Sequence, residues 1–125
     1  MKAINKTLDE YLAGYPLDWR QQVQEYLAGK RRNFDVGLTT LPGTEFQQAV
    51  WRAMLKIQYS QTKSYKQIAK DIGRPKAFRA VANACGANPY PIIIPCHRVV
   101  ASHGLGGFSL GLDLKKKLLR LESTL

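Results

Sequence analysis

The fold expected for this chain follows from residues 64–86, which read SYKQIAKDIGRPKAFRAVANACG. Ser64 is a typical N-cap, and apolar residues follow it at helical spacing. Gly-Arg-Pro at 73–75 ends this helix, and Pro75 suits the first turn of a second helix over 76–85. Two short helices joined by a glycine turn predict a helix-turn-helix, a motif that binds DNA.

The charge of the chain indicates the same kind of partner. There are 19 Lys and Arg against 9 Asp and Glu, a net charge of +10. Residues 1–42 hold six of these cations and five of the anions, so residues 43–125 carry a net +9. A basic domain favours a polyanion, with nucleic acid first, although a basic soluble protein without such a partner is the alternative. The cations nearest the turn are Lys66, Lys70, Arg74, Lys76 and Arg79.

The second helix of the motif is rich in alanine. Direct readout of bases uses Arg, Asn or Gln side chains. Small residues instead allow the backbone to approach DNA closely while reading little sequence. Ordinary helix packing is the other interpretation of this pattern.

The first 42 residues predict a helical leader. One short helix ends at Gly14, and a second begins at Pro16. Leu-Pro-Gly at 41–43 marks a boundary, so we divide the chain into a helical segment with its linker, 1–42, and a main domain, 43–125.

The main domain opens with a capping-box pattern, in which Gln47 follows Thr44 by three residues. The apolar residues behind it recur at helical spacing and are interpreted as core. They are Phe46, Val50, Trp51, Met54 and Leu55.

Residues 91–100, Pro-Ile-Ile-Ile-Pro-Cys-His-Arg-Val-Val, place a cysteine beside a histidine. The three isoleucines predict a short buried β-strand with Cys96 at its end. A cysteine attacks as its thiolate, which requires a base or a positive field. His97 and Arg98 are residues of the kind that supplies it. The alternative is a structural cysteine that behaves as a small apolar residue.

Cysteine usage and hydropathy exclude several classes of protein. Cys85 and Cys96 form no Cys-x-x-Cys pair, and no secretory leader is present, so we expect a reducing, intracellular compartment. This would be the cytoplasm of a prokaryote or the nucleus of a eukaryote. No run approaches the 18 or so apolar residues of a membrane span. The cysteines and histidines lack the paired spacing of zinc sites, so no metal is expected.

The C-terminal region combines a glycine-rich loop and a basic helix. Residues 102–109 lack the spacing of a phosphate-binding loop, and we expect them to close over a flat group. An amphipathic helix from Leu112 to Leu121 follows, with Lys115–Lys117 expected on its solvated face and phosphate contact as the alternative. Glu122 stands at its end.

From Gly43 to Glu122 the chain resembles the C-terminal domain of the O6-alkylguanine-DNA alkyltransferases (methylated-DNA–protein-cysteine methyltransferases). Five elements match in order. They are Gly-Thr-x-Phe-Gln-x-x-Val-Trp at 43–51, Ser-Tyr at 64–65, Gly-x-Pro-Lys-Ala-x-Arg-Ala-Val at 73–81, Asn-Pro at 88–89 and Ile-Pro-Cys-His-Arg-Val at 94–99. The resemblance implies a mainly α, winged-helix-like fold with a short β element.

The resemblance also implies direct-reversal DNA repair without a cofactor. A damaged guanine would be flipped out of the duplex, and Cys96 would take its O6-alkyl group once, as a permanent thioether. Glu122 would orient His97, which would deprotonate Cys96 through a water. Asn88 would join this network, with a simple turn former as the alternative, and Tyr65 would protonate the departing guanine.

By the same resemblance, Arg79 fills the place that the flipped base leaves in the stack. The other implied DNA contacts are Ser64, Arg74, Lys76, Ala77 and Ala80. The implied base pocket consists of Val99, Phe108 and Ser109, with plain core as the alternative for Phe108. The implied partner is double-stranded DNA containing O6-alkylguanine. The resemblance also implies a monomer, and no membrane partner is expected. Cooperative binding along DNA stays open.

The family usually carries a ribonuclease-H-like domain before the linker, and 42 residues are too few for it. We therefore expect a short helical segment in its place, and not the zinc of some members. One alternative function is a non-catalytic, alkyltransferase-like lesion-binding protein, which the presence of Cys96 disfavours. The other is a helix-turn-helix regulator, which the alanine-rich second helix disfavours.

Overall fold

The computed structural model describes residues 7–123. A 3₁₀ turn at Cys96–Arg98 precedes the second strand. The elements in chain order are α1 (Leu8–Ala13), α2 (Leu17–Leu27), α3 (Glu45–Leu55), β1 (Lys63–Ser64), α4 (Tyr65–Asp71), α5 (Phe78–Gly86), β2 (Val99–Val100) and α6 (Leu112–Leu121). This mainly helical arrangement with a two-stranded sheet confirms the expected fold class. Within 7–123, no helix combines the length and apolarity that crossing a membrane would require.

The leader folds as two helices, as predicted, and packs on the main domain. A capping box opens α1, and α2 buries Gln22, Val23 and Tyr26. The amide of Gln22 donates to the carbonyl of Asp35 (3.0 Å) and its oxygen accepts from the N–H of Asp35 (2.8 Å). These two hydrogen bonds hold the linker against α2.

Helix α3 begins with the predicted capping box, since the hydroxyl of Thr44 accepts from the N–H of Gln47 (3.1 Å). Three of its predicted core residues are buried, namely Val50, Trp51 and Met54. Phe46 is half-buried, but the prediction for Leu55 is wrong, because this residue lies one position beyond the buried stripe and is 37% exposed. The indole N–H of Trp51 donates to the carbonyl of Ala84 (2.8 Å) and ties α3 to α5.

The two helices of the predicted helix-turn-helix are α4 and α5. Ser64 caps α4 through a capping box. The second helix begins two residues later than predicted. Pro75 lies in a turn, in which the N–H of Ala77 donates to the carbonyl of Arg74 (2.9 Å), and the helix begins at Phe78. The fixed φ of proline suits a turn as well as a first helical turn, so the sequence pattern did not distinguish the two.

The predicted strand at 92–94 is wrong. These residues are buried but form a turn, in which the N–H of Ile94 donates to the carbonyl of Tyr90 (2.9 Å). Ile92 has a φ of +76°, outside the extended region. The prolines on both sides have no N–H for a strand ladder, which disfavours a paired strand here.

The sheet consists instead of β1 and β2, which pair in parallel with Lys63 opposite Val99. This pairing brings the start of α4 beside the 3₁₀ turn that carries Cys96. An apolar cluster joins the leader to the turn at 92–94 and to α6. Its buried members are Tyr15, Val23, Tyr26, Ile92, Ile93 and Leu118.

Candidate active site

Cys96 begins the 3₁₀ turn and is only 3% exposed. It lines a cavity of about 210 Å³ that also contacts Tyr65, Cys85, Phe108 and Ser109. The wall on the side of α5 includes Asn83. The turn and the cavity therefore place Cys96, a second thiol and one phenol around the same cavity.

Asn88 holds the sulfur of Cys96. Its side-chain N–H₂ donates to Cys96 Sγ (3.1 Å) and to the carbonyl of Ile94 (2.8 Å), and its oxygen accepts from the N–H of Tyr90 (2.9 Å). Burial raises the pKa of Cys96 to about 11, against the opposing effects of the Asn88 hydrogen bond and the charge of Lys115. Cys96 is therefore a thiol near neutral pH, and a base must remove its proton before the sulfur can attack.

His97 follows Cys96 in the 3₁₀ turn and is fully buried. Its Nε2–H donates to Glu122 Oε2 at 2.8 Å, since an ionised carboxylate can only accept. Nδ1 is then the basic nitrogen, and it is buried without a hydrogen-bond partner among the described residues. Burial lowers the pKa of His97, while Glu122 acts in the opposite direction. The ring is therefore neutral and able to accept a proton.

Glu122 follows α6 and is 1% exposed. Arg98 donates to both of its oxygens, from Nε to Oε1 (2.8 Å) and from Nη2 to Oε2 (3.0 Å). The hydroxyl of Tyr26 donates to Oε2 (2.5 Å) and the N–H of Ser60 to Oε1 (3.2 Å). Burial would raise the pKa of Glu122, but hydrogen bonds from His97, Arg98 and Tyr26 outweigh it and lower the pKa to about 2.

The expectation that Arg98 helps to ionise Cys96 is wrong. Besides its two bonds to Glu122, the Arg98 guanidinium donates to the carbonyl of Ile57 (2.8 Å). The guanidinium thus compensates the charge of the buried Glu122 carboxylate, and it is not among the groups that lower the pKa of Cys96. The cation that lowers the pKa of Cys96 is Lys115 instead.

The expectation that Lys115 is solvated is also wrong. Its ammonium is buried and donates to the carbonyls of Val99 (2.7 Å) and Gly107 (2.9 Å), whereas Lys116 and Lys117 are exposed. Burial lowers the pKa of Lys115 to about 8. This side chain joins β2 to the glycine-rich loop.

No group of three or more His, Cys, Asp or Glu side chains that could hold a metal is found within 7–123.

The glycine-rich loop rests on Tyr65, whose hydroxyl oxygen accepts from the N–H of Gly107 (3.2 Å). Gly106 has a φ of +71°, and a Cβ there would lie 2.6 Å from the Tyr65 oxygen, so this contact requires glycine. The ring of Phe108 packs edge-on against His97, with centroids 6.4 Å apart.

The three residues expected in the base pocket lie in different places. Phe108 and Ser109 line the cavity, and the Ser109 hydroxyl is buried without a partner among the described residues. Val99 is fully buried and does not belong to the cavity wall.

The residues expected to contact DNA lie on and before α5. Arg74, Lys76, Arg79 and Ala80 are exposed, and Ser64 and Ala77 are half-buried. The same helix carries Asn83 and Gly86 at the cavity wall. Arg79 and the cavity wall therefore share one helix, while Arg74 and Lys76 lie in the turn before it.

The sequence did not reveal Tyr26, Ser60 or the buried role of Lys115. Tyr26 lies 96 residues before Glu122, and its hydroxyl contacts Glu122 Oε2 and His97 Nε2 (3.3 Å). An amphipathic leader helix predicts that this tyrosine is buried, but nothing local gives its partner.

Two comparisons with known proteins agree with this geometry. Residues 45–124 match the family described as 6-O-methylguanine DNA methyltransferase, DNA binding domain. Over 118 residues the chain is 46% identical to the methylated-DNA–protein-cysteine methyltransferase of Methanosarcina barkeri, covering 86% of this chain and 74% of that protein. The chain belongs to this family. The methylated-DNA–protein-cysteine methyltransferases are direct-reversal DNA repair proteins, and the residues of the cavity lie within the matched region.

Further relatives and solved methyltransferase structures extend the comparison. The inducible methyltransferase of Bacillus subtilis is 51% identical over 102 residues, which cover 81% of this chain and 56% of the relative. The crystal structure of Mycobacterium tuberculosis OGT in complex with DNA has a TM-score of 0.79 and 50% identity, covering 83% of this chain and 65% of that one. S. pombe Atl1, solved with damaged DNA containing O6-carboxymethylguanine, has a TM-score of 0.58 and 29% identity, covering 66% and 79%. The chain thus spans about two thirds of the M. tuberculosis protein.

Proposed function

We propose that this protein repairs O6-alkylguanine in double-stranded DNA by transferring the alkyl group to Cys96, once per molecule. The observation that carries this proposal is the cavity beside α5. It is lined by both Cys96 and Tyr65, and His97, the next residue after Cys96, is hydrogen-bonded to Glu122. Membership of the methyltransferase family supports the same reaction.

DNA would be bound through α4, the turn and α5. Arg74, Lys76 and Arg79 are exposed cations that suit phosphates. The short side chains of Ala77 and Ala80 would let the helix approach the groove closely. Arg79 would occupy the space of the flipped guanine, which then enters the cavity next to it.

In the transfer step, the Cys96 sulfur forms a bond to the alkyl carbon as the bond from that carbon to guanine O6 breaks. The thiol proton passes through a water to His97 Nδ1, and the ionised Glu122 stabilises the imidazolium. Glu122 itself stays unprotonated, since its pKa of about 2 is far below neutrality. The hydrogen bond from Asn88 stabilises negative charge on sulfur during the attack.

The electron pair of the broken bond goes to the guanine ring, which needs a proton. Burial raises the pKa of Tyr65, so its hydroxyl stays protonated. Its oxygen already accepts from Gly107, which leaves the O–H free to donate towards the cavity. Tyr65 would therefore protonate the departing guanine, and Phe108 and Ser109 would hold the base in place.

The roles that we propose for the two segments of the chain depend on which segment holds the assigned residues. Every residue assigned to DNA contact or to the chemistry lies within 43–125, and a single copy contains all of them. We therefore assign DNA binding and catalysis to 43–125 and a supporting role to 1–42. A monomer is sufficient for the reaction.

The test is the intact mass of the protein after mixing with a duplex that contains O6-methylguanine. We expect a gain of one methylene, which Cys96→Ser abolishes. Cys85→Ser is the matched control and should keep the gain, because burial raises the pKa of this second cavity thiol to about 12. Tight, lesion-selective binding without a mass change would overturn the proposal and favour a lesion-binding protein.

A further inference from the structure

The leader reaches the catalytic relay through one side chain, Tyr26. This residue is fully buried on α2. Its hydroxyl donates to Glu122 Oε2 at 2.5 Å and lies 3.3 Å from His97 Nε2. A residue outside the region that matches the family model thus contacts both polar partners behind Cys96.

Packing fixes the direction of the Tyr26 hydroxyl. The ring lies 5.5 Å from that of Phe34 and 6.1 Å from that of Tyr59, between centroids. One turn earlier on the same helix, Gln22 forms two hydrogen bonds with the backbone of Asp35. A buried ring held by neighbours on two sides cannot swing its hydroxyl away from Glu122 without disturbing the linker.

The hydroxyl acts as a donor over the whole working pH range. Burial, followed by the hydrogen bond to Glu122, raises the pKa of Tyr26 well above its ordinary value. Glu122 Oε2 therefore receives three donors: the hydroxyl of Tyr26, Nε2–H of His97 and Nη2 of Arg98. Each donor takes a share of the charge on this oxygen, so Tyr26 competes with His97 for it.

We infer that Tyr26 is a positioning residue of the transfer reaction, which holds Glu122 against His97 and limits how strongly the carboxylate raises the basicity of the imidazole. The inference rests on the proposed function. It makes the leader part of the catalytic relay and not only a cover for the apolar cluster. Without this hydroxyl, Glu122 would give more of its charge to His97 and would lose one of its fixed contacts.

Other charged and titratable groups also face His97 and must be kept constant in a test. They come from several elements: Cys96 and Arg98 from the 3₁₀ turn, Lys115 and Glu122 from α6 and its end, and Tyr26 from α2. Tyr59, from the turn after α3, packs against Tyr26. Tyr26→Phe changes one hydroxyl and keeps the aromatic packing.

The experiment compares Tyr26→Phe with Tyr15→Phe. Tyr15 is also a buried leader tyrosine, but its hydroxyl donates to the carbonyl of Pro91 (2.8 Å) and does not touch Glu122. The single-turnover rate of transfer from an O6-methylguanine duplex is measured from pH 5 to pH 9. For Tyr26→Phe we expect the acid limb to move about half a unit to higher pH and the plateau to fall about threefold to tenfold. Tyr15→Phe should leave the acid limb unchanged.

A second readout needs no DNA. The imidazole of His97 is titrated by NMR in the free protein, and Tyr26→Phe should raise its pKa while Tyr15→Phe should not. If the pH profile and the His97 titration of Tyr26→Phe both superimpose on those of the wild type, whatever the change in stability, the inference is overturned. If the wild type transfers no alkyl group, the proposed function fails, yet the His97 titration still decides the role of Tyr26.

Discussion

The interior around His97 and Glu122 and the outer face formed by α5 and the turn before it use charged residues in opposite ways. In the interior, Glu122 and Arg98 are less than 10% exposed and their hydrogen bonds go to each other and to nearby groups. On the outer face, Lys76 and Arg79 are exposed and form no ion pair among the described residues. Buried charge must be compensated inside the protein, whereas unpaired surface charge remains available for a polyanion.

We therefore expect stability and pH dependence to depend on the interior, and affinity and its salt dependence to depend on the outer face. A change in the interior should alter folding stability and pH dependence together, because the same hydrogen bonds determine both. A change on the outer face should alter affinity and its salt dependence while stability hardly moves. Four predictions test this separation.

The largest effect is expected for Glu122→Gln. It leaves Arg98 buried without its carboxylate, so we expect the free energy of unfolding to fall by about 3–5 kcal/mol. The transfer rate should fall about a hundredfold, since the imidazolium of His97 loses its counter-charge. Denaturant unfolding and single-turnover kinetics measure the two quantities.

Glu25→Gln is the matched control for that variant. The carboxylate of Glu25 pairs with Arg31 at 2.8 Å, but its side chain is 46% exposed. Exposed pairs contribute about 1 kcal/mol or less, so stability should change little. Equal losses of stability in the two variants would contradict the contrast between the interior and the surface.

Arg79→Ala should lower the transfer rate from duplex DNA by about tenfold to a hundredfold, since a flipped base would no longer be replaced in the stack. Reaction with the free base O6-methylguanine should be unchanged, because it needs no flipping. Arg52→Ala removes another exposed cation, on α3, and serves as the control. A loss of reaction with the free base would show that Arg79 takes part in the transfer reaction itself. It would contradict the separation between the interior and the outer face.

The pH dependence of the unfolding free energy tests how much the buried Glu122 carboxylate stabilises the fold. The pKa of Glu122 is lowered from 4.5 to about 2, so this carboxylate stabilises the fold above pH 4.5. That contribution is lost as the pH falls from 4.5 towards 2. Glu122→Gln should therefore flatten the acid limb of the unfolding free energy, as followed by circular dichroism. An acid limb as steep as that of the wild type would show that other groups dominate.

The smallest effect is expected for Lys76→Gln. One fewer phosphate contact should reduce the slope of log Kd against log salt by about one. Lys116→Gln, an exposed lysine on α6, should leave the slope unchanged. Fluorescence anisotropy with a labelled duplex measures both. A lower slope for both lysines would mean that DNA contacts more than the α4–α5 face.

Local signals in the sequence predicted the local structure well. The capping box at Thr44 and the N-cap at Ser64 begin α3 and α4 as predicted, because capping involves residues only three positions apart. Pro75 misled the prediction of where α5 begins, since its φ suits two conformations. The isoleucines at 92–94 have the composition of a strand, yet packing against the leader and α6 holds them in a turn.

Short motifs predicted the helix-turn-helix, and they also indicated Cys96 and His97 as the candidate nucleophile and base. What could not be predicted is how distant segments meet in the interior. Tyr26 reaches Glu122 across 96 positions, and Lys115 differs from Lys116 and Lys117 only in which side of α6 it occupies. Long-range contacts depend on tertiary packing, which no local spacing encodes.

A protein that reacts only once has to keep its reactive atom intact until the right target arrives. Cys96 is 3% exposed and carries its proton near neutral pH, so an electrophile that does not fit the cavity meets a shielded and weakly nucleophilic thiol. Under the proposed function, the molecule stays in reserve through chemical stress and is consumed only by a base that enters the cavity. Its lifetime as a repair agent is then set by encounters with damaged DNA, and not by the oxidants and alkylating agents around it.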